Sequence, residues 1–173
     1  MLEATVSGSI PQAQSGRLVF LVGGDAETLK QAEPLLKCMG SSVQRAGPVG
    51  AGALAKLITN TLMGAQLTTI AESIGMLKRQ AVDPKLVLQA VAATPLWSPH
   101  LTNDVESMLS GDFEPLFPIN LLVKDLDYTV ETAGGDASAP TVSAVRGVFQ
   151  QAMKKNLGAL NMTAVVKMFG QNE

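Results

Sequence analysis

Short apolar runs bounded by Gly and Pro characterise the first 46 residues. Ala4 to Val6 and the continuous run LVFLV, Leu18 to Val22, are typical of sheet strands, and the second is typical of a strand covered on both faces. Asp25 can cap a helix from Ala26 to about Met39, and the following SSVQRAG can form one more short strand. The pattern therefore predicts the order β, β, α, β.

From Pro48 onward the pattern is helical. The longest segment, from about Ala51 to Gln80, would extend roughly 45 Å and form a central spine. Further helices are expected to begin at Pro, or after the breaks that Pro and Gly make in the chain. Their expected starts are Pro84, Pro99, Ile119 and Pro140, and a last short helix is expected from Asn161 to Met168. The predicted fold class is therefore mainly α, with a small α/β segment before the long helix.

Composition and charge exclude several classes of protein. The 173 residues are 46% hydrophobic, and their 13 basic and 15 acidic side chains are interspersed without a basic cluster among aromatics, so no nucleic-acid partner is expected. The most apolar segment, residues 57 to 71, is too short and too polar to cross a bilayer. With no secretory signal recognised at the N-terminus, these features predict a cytoplasmic protein without a membrane partner.

The single cysteine and the single histidine add little chemistry. Cys38 lies among Leu35, Leu36 and Met39, so it is predicted to be a packed thiol in a reducing compartment. His100 has no second His or Cys at ligand spacing. Neither a metal site nor a histidine-based triad is therefore expected.

The stretch GAGALAKLITN, residues 50 to 60, raises a sharper question, because Lys56 is the only charged side chain between Arg45 and Glu72. On a helix, Lys56 and Asn60 share one face. The lysine could lay its stem along apolar surface with its ammonium in water. Alternatively, it could line a cleft near the helix N-terminus, where partial desolvation lowers the pKa of the ammonium toward the range useful in acid and base catalysis. The pattern alone leaves both readings open.

The same stretch loosely matches the G-x-G-x-x-G/A fingerprint of dinucleotide-binding loops over Gly50 to Ala55. A true fingerprint follows a buried strand, and an acidic residue ends a second strand about 20 positions later. Here QRAGPV precedes the glycines and one uninterrupted helix is predicted after them. The match is therefore expected to be coincidental.

Two further segments could bind ligands. In VSGS, residues 6 to 9, backbone N–H groups and hydroxyls can form a small concavity for a carboxylate, although such sequences are common in turns. In LLVKDLDYTV, Lys124 and Asp125 taken alone indicate the solvated edge of an amphipathic helix. Neither segment assigns a function by itself.

Together, VSGSxxxAxxGxL, GxxGxGxxAKLxxN and KDLDY, in that order, resemble the β-hydroxyacid dehydrogenase family, which includes 3-hydroxyisobutyrate dehydrogenase and the glyoxylate and succinic semialdehyde reductases. The resemblance runs through nearly the whole chain. It implies that residues 1–46 are the C-terminal remnant of a dinucleotide-binding Rossmann domain and that residues 47–173 form an all-α substrate and dimerisation domain. The family's N-terminal G-x-G-x-x-G loop does not occur before VSGS, so a truncated reading frame is expected.

The resemblance also implies roles for individual residues. Ser7, Gly8 and Ser9 match the loop that holds the substrate carboxylate. Lys56 matches the catalytic lysine, which takes or returns the hydroxyl proton while a hydride passes between the substrate and the nicotinamide of NAD or NADP. Asn60 matches the asparagine that orients the substrate beside it.

Cofactor contacts are implied for a second group of residues. Lys124 matches the lysine of the family's KDL motif near the nicotinamide, Asp125 would orient it, and Phe117 is carried over as a wall of the cofactor cleft. Thr5 stands where many members have Pro, and Ser9 where several have Gly, the latter somewhat closer to the semialdehyde reductases. The exact substrate and the choice between NAD and NADP stay open.

The implied function is the substrate-side and catalytic part of an NAD(P)-dependent oxidoreductase, inactive as the isolated chain. It would interconvert a small carboxylate-bearing β-hydroxyacid and its semialdehyde or ketone, in a homodimer or tetramer. Two other functions stay open: a helical dimerisation module without catalysis, and a carboxylate-binding domain that uses VSGS alone.

Overall fold

A computed structural model of the chain describes residues 1–170, in which a small sheet is followed by helices. Its contacts divide the chain into two compact units, Met1–Asn60 and Thr61–Glu173. The mainly α fold class is therefore confirmed. The predicted domain boundary between residues 46 and 47 concerns homology to known domains and stays a prediction.

The first unit is built on a three-stranded sheet. Its elements are β1 (Leu2–Ser7), α1 (Ile10–Gln14), β2 (Leu18–Gly24), α2 (Ala26–Lys37) and β3 (Gly40–Gly47), and the strand order is β1-β2-β3. Strand β1 runs antiparallel to β2, and β3 runs parallel to β2, which places β2 in the centre. The five-residue helix α1 was not predicted, because it is too short to show a helical period.

The core of the first unit lies between the central strand and helix α2. Phe20 and Val22 of β2 are buried with Leu29 and Leu36 of α2, two turns apart on one helix face. Asp25 caps α2 as predicted, since its carboxylate accepts a hydrogen bond from the Thr28 backbone N–H at 2.9 Å. The continuous LVFLV run thus forms the buried centre of the sheet.

The prediction of a packed thiol at Cys38 is wrong. Its side chain is exposed, and the thiol donates to the Pro34 carbonyl oxygen at 3.3 Å. Helix α2 turns Leu29 and Leu36 inward, whereas Leu35 beside them is 67% exposed. Apolar neighbours in sequence therefore did not place the cysteine on the buried face.

The second unit is helical. Helix α3 (Ala51–Arg79) begins in the first unit, and its remaining turns belong to the second. The other elements are α4 (Pro84–Ala92), α5 (Pro99–Ser110), α6 (Ile119–Thr132), α7 (Pro140–Lys154) and 3-10 segments at Asp136–Ser138 and Met162–Met168. The last of these was predicted as a short helix over 161–168, so its position is confirmed and its helix type differs.

Helices α3, α6 and α7 supply most of the core of the second unit. The fully buried residues recur at helical spacing, and the segment 162–166 is buried throughout. Buried members include Leu67 and Ile74 of α3, Ile119, Leu122 and Leu126 of α6, and Phe149 of α7. Among residues 1–170, no helix is long and apolar enough to span a membrane.

Candidate functional site

The predicted substrate loop lies where strand β1 ends. Ser7 is the last residue of β1, and Gly8 adopts a φ of +127°, a conformation that side-chain-bearing residues rarely adopt. A Cβ at Gly8 would also lie 3.0 Å from Leu18 Cδ2. The Ser9 N–H donates to Gln12 Oε1 at 3.0 Å, which holds the loop against helix α1. Glycine at position 8 is thus required by the turn itself.

Lys56 and Asn60 lie one turn apart on α3, and both belong to the same unit as the Ser7–Ser9 loop. Asn60 is buried, at 2% exposure, and Lys56 is half-buried. By contrast, Lys78 and Arg79 at the far end of the same helix are exposed. Lys56 is therefore less exposed than Lys78 in the last turn of the same helix.

Glu3 and Thr5 of β1 hold the start of this helix, although no motif pointed to Glu3 and Thr5 was noted only because Pro is common at its position. One carboxylate oxygen of Glu3, Oε1, accepts hydrogen bonds from the backbone N–H groups of Gly50 at 2.7 Å, Gly52 at 2.9 Å and Ala53 at 3.3 Å. The Thr5 hydroxyl donates to the Gly52 carbonyl oxygen at 3.0 Å. The sequence contained a signal for this contact. Glu3, Thr5 and Ser7 occupy every second position of β1, so their side chains lie on one face of the strand.

These contacts explain the glycines of the apparent dinucleotide fingerprint. The N–H groups that would face a pyrophosphate donate to Glu3 instead. A Cβ at Gly52 would lie 2.6 Å from the Leu21 carbonyl oxygen and 2.8 Å from the Gly23 nitrogen. Glycine is needed at position 52 because the helix packs closely on strand β2, which is a structural reason independent of any dinucleotide, and the coincidental match stays a prediction.

The residues assigned to cofactor contacts lie in the second unit. Lys124 and Asp125 are neighbours on α6, with Lys124 Nζ 3.2 Å from Asp125 Oδ1. The Lys124 side chain is 53% exposed and that of Asp125 is 13% exposed. Lys124 Nζ also lies 5.9 Å from the centre of the Tyr128 ring. This arrangement offers an accessible ammonium whose direction is set by a carboxylate.

Phe117 precedes α6 in a segment held by buried hydrogen bonds. Its backbone N–H donates to Asn161 Oδ1 at 3.0 Å, and its carbonyl oxygen accepts from the Met162 N–H at 2.9 Å. Asn161 Nδ2 donates to the Thr163 hydroxyl at 2.9 Å, which lies 2.7 Å from that of Ser107. Asn161 and Thr163 are buried, so this network fixes the main chain at Phe117.

A buried carboxylate lies on α5. Asp104 is 6% exposed, and burial raises the pKa of its carboxyl above the ordinary value, while the charge of His100 acts in the opposite direction. His100 Nε2 lies 3.2 Å from Asp104 Oδ2, but the contact lacks hydrogen-bond geometry, so within residues 1–170 this oxygen has an ion contact and no hydrogen bond. The charged form of Asp104 is therefore disfavoured by folding.

We expect Asp104→Asn to raise the free energy of unfolding at about pH 8 and to lose that advantage as the pH falls to about 4. The folded-state pKa is raised, so wild type gains stability from protonation at low pH and loses it as the pH rises through that pKa. Urea unfolding at both pH values measures this. Glu106→Gln, at an exposed position on the same helix, is the control. Equal destabilisation by Asp104→Asn at both pH values would contradict the expectation.

Comparisons with known proteins cover both parts of the chain. Residues 50–169 match a family described as the NAD-binding domain of NADP-dependent 3-hydroxyisobutyrate dehydrogenase. Residues 1–47 match the NAD-binding domain of 6-phosphogluconate dehydrogenase. The first match alone extends over more than half of the chain.

Individual relatives agree with these matches. L-threonate dehydrogenase of Cupriavidus necator is 32% identical over 171 residues, which are 98% of this chain and 58% of that protein. Glyoxylate/succinic semialdehyde reductase 2 of Arabidopsis thaliana, a chloroplastic protein, is 30% identical over 96% of this chain and 47% of its own length. The chain thus spans about half the length of these relatives.

A solved structure shows the same fold. The 3-hydroxyisobutyrate dehydrogenase of Mycobacterium tuberculosis, solved with L-serine, superposes with a TM-score of 0.85 at 27% identity. The superposition covers 96% of this chain and 60% of that one.

Proposed function

This chain belongs to the β-hydroxyacid dehydrogenase family, of the 3-hydroxyisobutyrate dehydrogenase type, and on that premise we propose that it carries the substrate-side and catalytic part of an NAD(P)-dependent oxidoreductase. The reaction would interconvert a small β-hydroxyacid and its semialdehyde or ketone. One observation carries the proposal: the face of β1 that leads into Ser7 also holds the start of the helix that bears Lys56.

In this proposal the residues that bind the substrate belong to the first unit. The Ser7–Gly8–Ser9 turn receives the carboxylate through hydroxyl and backbone donors, and Asn60 orients the reacting hydroxyl. During oxidation the neutral amine of Lys56 takes the hydroxyl proton as the carbon–oxygen double bond forms. During reduction its ammonium returns the proton. The nicotinamide, when bound, accepts or supplies the hydride.

The cofactor would be NAD or NADP, which the family uses. The start of α3 does not fit a pyrophosphate, because the N–H groups of Gly50, Gly52 and Ala53 donate to Glu3. The accessible ammonium of Lys124, directed by Asp125, fits a polar contact to the cofactor, and Phe117 supplies an apolar surface on a fixed main chain. These residues would contact the nicotinamide end.

The chemistry of the loop and the names of the relatives support a substrate that carries a carboxylate. Threonate, glyoxylate, succinic semialdehyde and serine, the compounds named for the relatives, each carry a carboxylate and a hydroxyl or carbonyl group. A loop of two serines and a glycine suits that shared carboxylate.

We place the reaction in the cytoplasm and expect a homodimer or tetramer.

A helical dimerisation module without catalysis is the second candidate. The observation in its favour is that large apolar side chains stay exposed, among them Leu96 at 90% and Leu86 at 65%. Sedimentation of the chain would measure its association. An oligomer that binds no hydroxyacid would support this candidate over the first.

Binding of a small hydroxyacid, L-serine, and of a small oxoacid, glyoxylate, tests the proposal on the chain itself. We expect calorimetry to detect L-serine and glyoxylate, and Ser7→Ala to weaken binding about tenfold, since a hydrogen bond to a charged group is worth about 1.5–3 kcal/mol. Ser41→Ala, at an exposed position in the same sheet, is the control and should bind as wild type does. Equal affinity in Ser7→Ala and wild type would exclude Ser7 from the site.

A further inference from the structure

Glu3 joins the strand of the predicted substrate loop to the helix of the predicted catalytic lysine. We propose that Glu3 is a positioning residue: its carboxylate fixes the first turn of α3 against β1 and so sets where Lys56 lies relative to the Ser7–Ser9 loop. The importance of Glu3 for catalysis rests on the proposed function, whereas its contact with the start of α3 does not.

Helix α3 begins without a capping side chain of its own. Gly50 precedes it, and its first turn contains no acidic residue. The Ala51 N–H donates to the Pro48 carbonyl oxygen at 3.0 Å, and the N–H groups of Gly50, Gly52 and Ala53 all donate to Glu3 Oε1. One carboxylate, about 50 positions earlier in the chain, therefore satisfies the amides that a local cap would normally serve.

The charge of Glu3 suits this place. The N-terminal end of a helix carries partial positive charge, so an anion there is favoured. Hydrogen bonds from N–H groups to a carboxylate are also stronger than those to a neutral acceptor. A glutamine at position 3 could keep an acceptor oxygen but would lose the charge.

The sheet leaves a path for the Glu3 side chain. Gly23 is the register partner of Glu3 on β2, and a Cβ at Gly23 would collide with Glu3 Oε1 and lie 2.7 Å from the Pro48 carbonyl oxygen. Two residues along β1, Thr5 donates to the Gly52 carbonyl oxygen at 3.0 Å. The helix start is thus held by an acceptor and a donor on one strand face.

The position of Lys56 makes this attachment relevant to the site. Lys56 follows Gly52 by four residues, which is about one helical turn. Ser7 follows Glu3 by four residues on the same strand face. Loosening the Glu3 contact would therefore let the two predicted functional groups move independently.

NMR of the chain tests the proposal through amide hydrogen exchange at Gly50, Gly52 and Ala53 and through the side-chain ε-methylene signal of Lys56. In Glu3→Ala we expect exchange at these amides to rise about tenfold or more and the Lys56 signal to shift. Glu3→Gln should give a smaller change of the same kind.

The matched control is Asp25→Ala, which removes the cap of α2 in the same unit. It should raise exchange at Thr28 and leave α3 and the Lys56 signal unchanged. Unchanged amides and an unchanged Lys56 signal in Glu3→Ala would overturn the proposal, as would an equal effect of Asp25→Ala. If Glu3→Ala does not fold, the comparison of Glu3→Gln with Asp25→Ala decides by the same criteria.

Hydroxyacid binding, measured separately by calorimetry, distinguishes this inference from the proposed function. If the Lys56 signal shifts in Glu3→Ala but the wild-type chain binds no hydroxyacid, the result would support the positioning role of Glu3 and count against the proposed function. If wild type binds hydroxyacid and the Lys56 signal does not shift in Glu3→Ala, the result would support the proposed function and count against the positioning role of Glu3.

Discussion

Replacing Lys56 with alanine is expected to lower kcat/KM about 100-fold or more in a hybrid enzyme, because the proton of the substrate hydroxyl loses its acceptor. In the hybrid, this chain replaces the region that it matches in the L-threonate dehydrogenase of Cupriavidus necator, a match that covers 98% of the chain. Initial rates of NAD(P)H oxidation with glyoxylate or succinic semialdehyde, and of NAD(P)+ reduction with threonate, measure the effect.

Two further lysine variants make this result specific. Lys78→Ala alters an exposed lysine in the last turn of the same helix and should keep the rate of the unaltered hybrid. Lys56→Arg keeps the positive charge but gives a group that does not release its proton at neutral pH, so we expect it to be nearly as slow as Lys56→Ala. A Lys56→Ala hybrid within about tenfold of the unaltered rate would exclude the acid and base role.

The largest expected effect on stability is that of Gly75→Ala. Gly75 lies inside α3, where a Cβ would come within 2.5 Å of the Phe169 carbonyl oxygen and 2.7 Å of Phe169 Cβ. Alanine normally stabilises a helix interior by about 0.5–1 kcal/mol relative to glycine. Here the close contact includes backbone, so the segment around Phe169 must move, and overpacking of this kind costs about 1–3 kcal/mol.

We therefore expect Gly75→Ala to lower the free energy of unfolding by about 1–2 kcal/mol, measured by urea denaturation. Gly147→Ala is the matched control, because a Cβ at Gly147 of α7 would meet no heavy atom within 4 Å. It should stabilise the protein by about 0.5–1 kcal/mol. Equal stabilisation of the chain by both variants would contradict the close packing of Gly75 against Phe169.

Most of the secondary structure could be predicted because its signals are local. The run LVFLV, the Asp25 cap and the predicted helix start at Pro84 each fall at an observed element or its boundary. The Asp83 carboxylate accepts a hydrogen bond from the Lys85 N–H at 2.9 Å, as a cap should. Helix α1 escaped prediction because its five residues are too few for a period.

The candidate site could be predicted only in part, because some of its contacts join residues that are far apart in the sequence. The motifs drew attention to Lys56 and the Ser7–Ser9 loop, whereas the hydrogen bonds from Gly50 and Gly52 to Glu3 cross more than 40 positions. The alternation along β1 was visible, but nothing in the sequence states which element that face meets.

Asn161 illustrates the same limit in the second unit. The sequence pattern predicted only a short helix over residues 161–168 and assigned no contact to Asn161. The structure shows that Asn161 and Thr163 are buried and hydrogen-bonded to Phe117 and Ser107. Burial of a polar side chain depends on packing between distant segments, so a local pattern could not reveal it.

The central claim is that these residues supply the substrate side of a hydride-transfer site. The most direct measurement is mass spectrometry of the hydroxyacid formed by the hybrid from a semialdehyde or glyoxylate, with NADH or NADPH dideuterated at the nicotinamide C4. We expect one deuterium on the carbinol carbon of the product, and strongly reduced formation of that product with Lys56→Ala. A folded hybrid that binds the cofactor and yields no labelled product would contradict it.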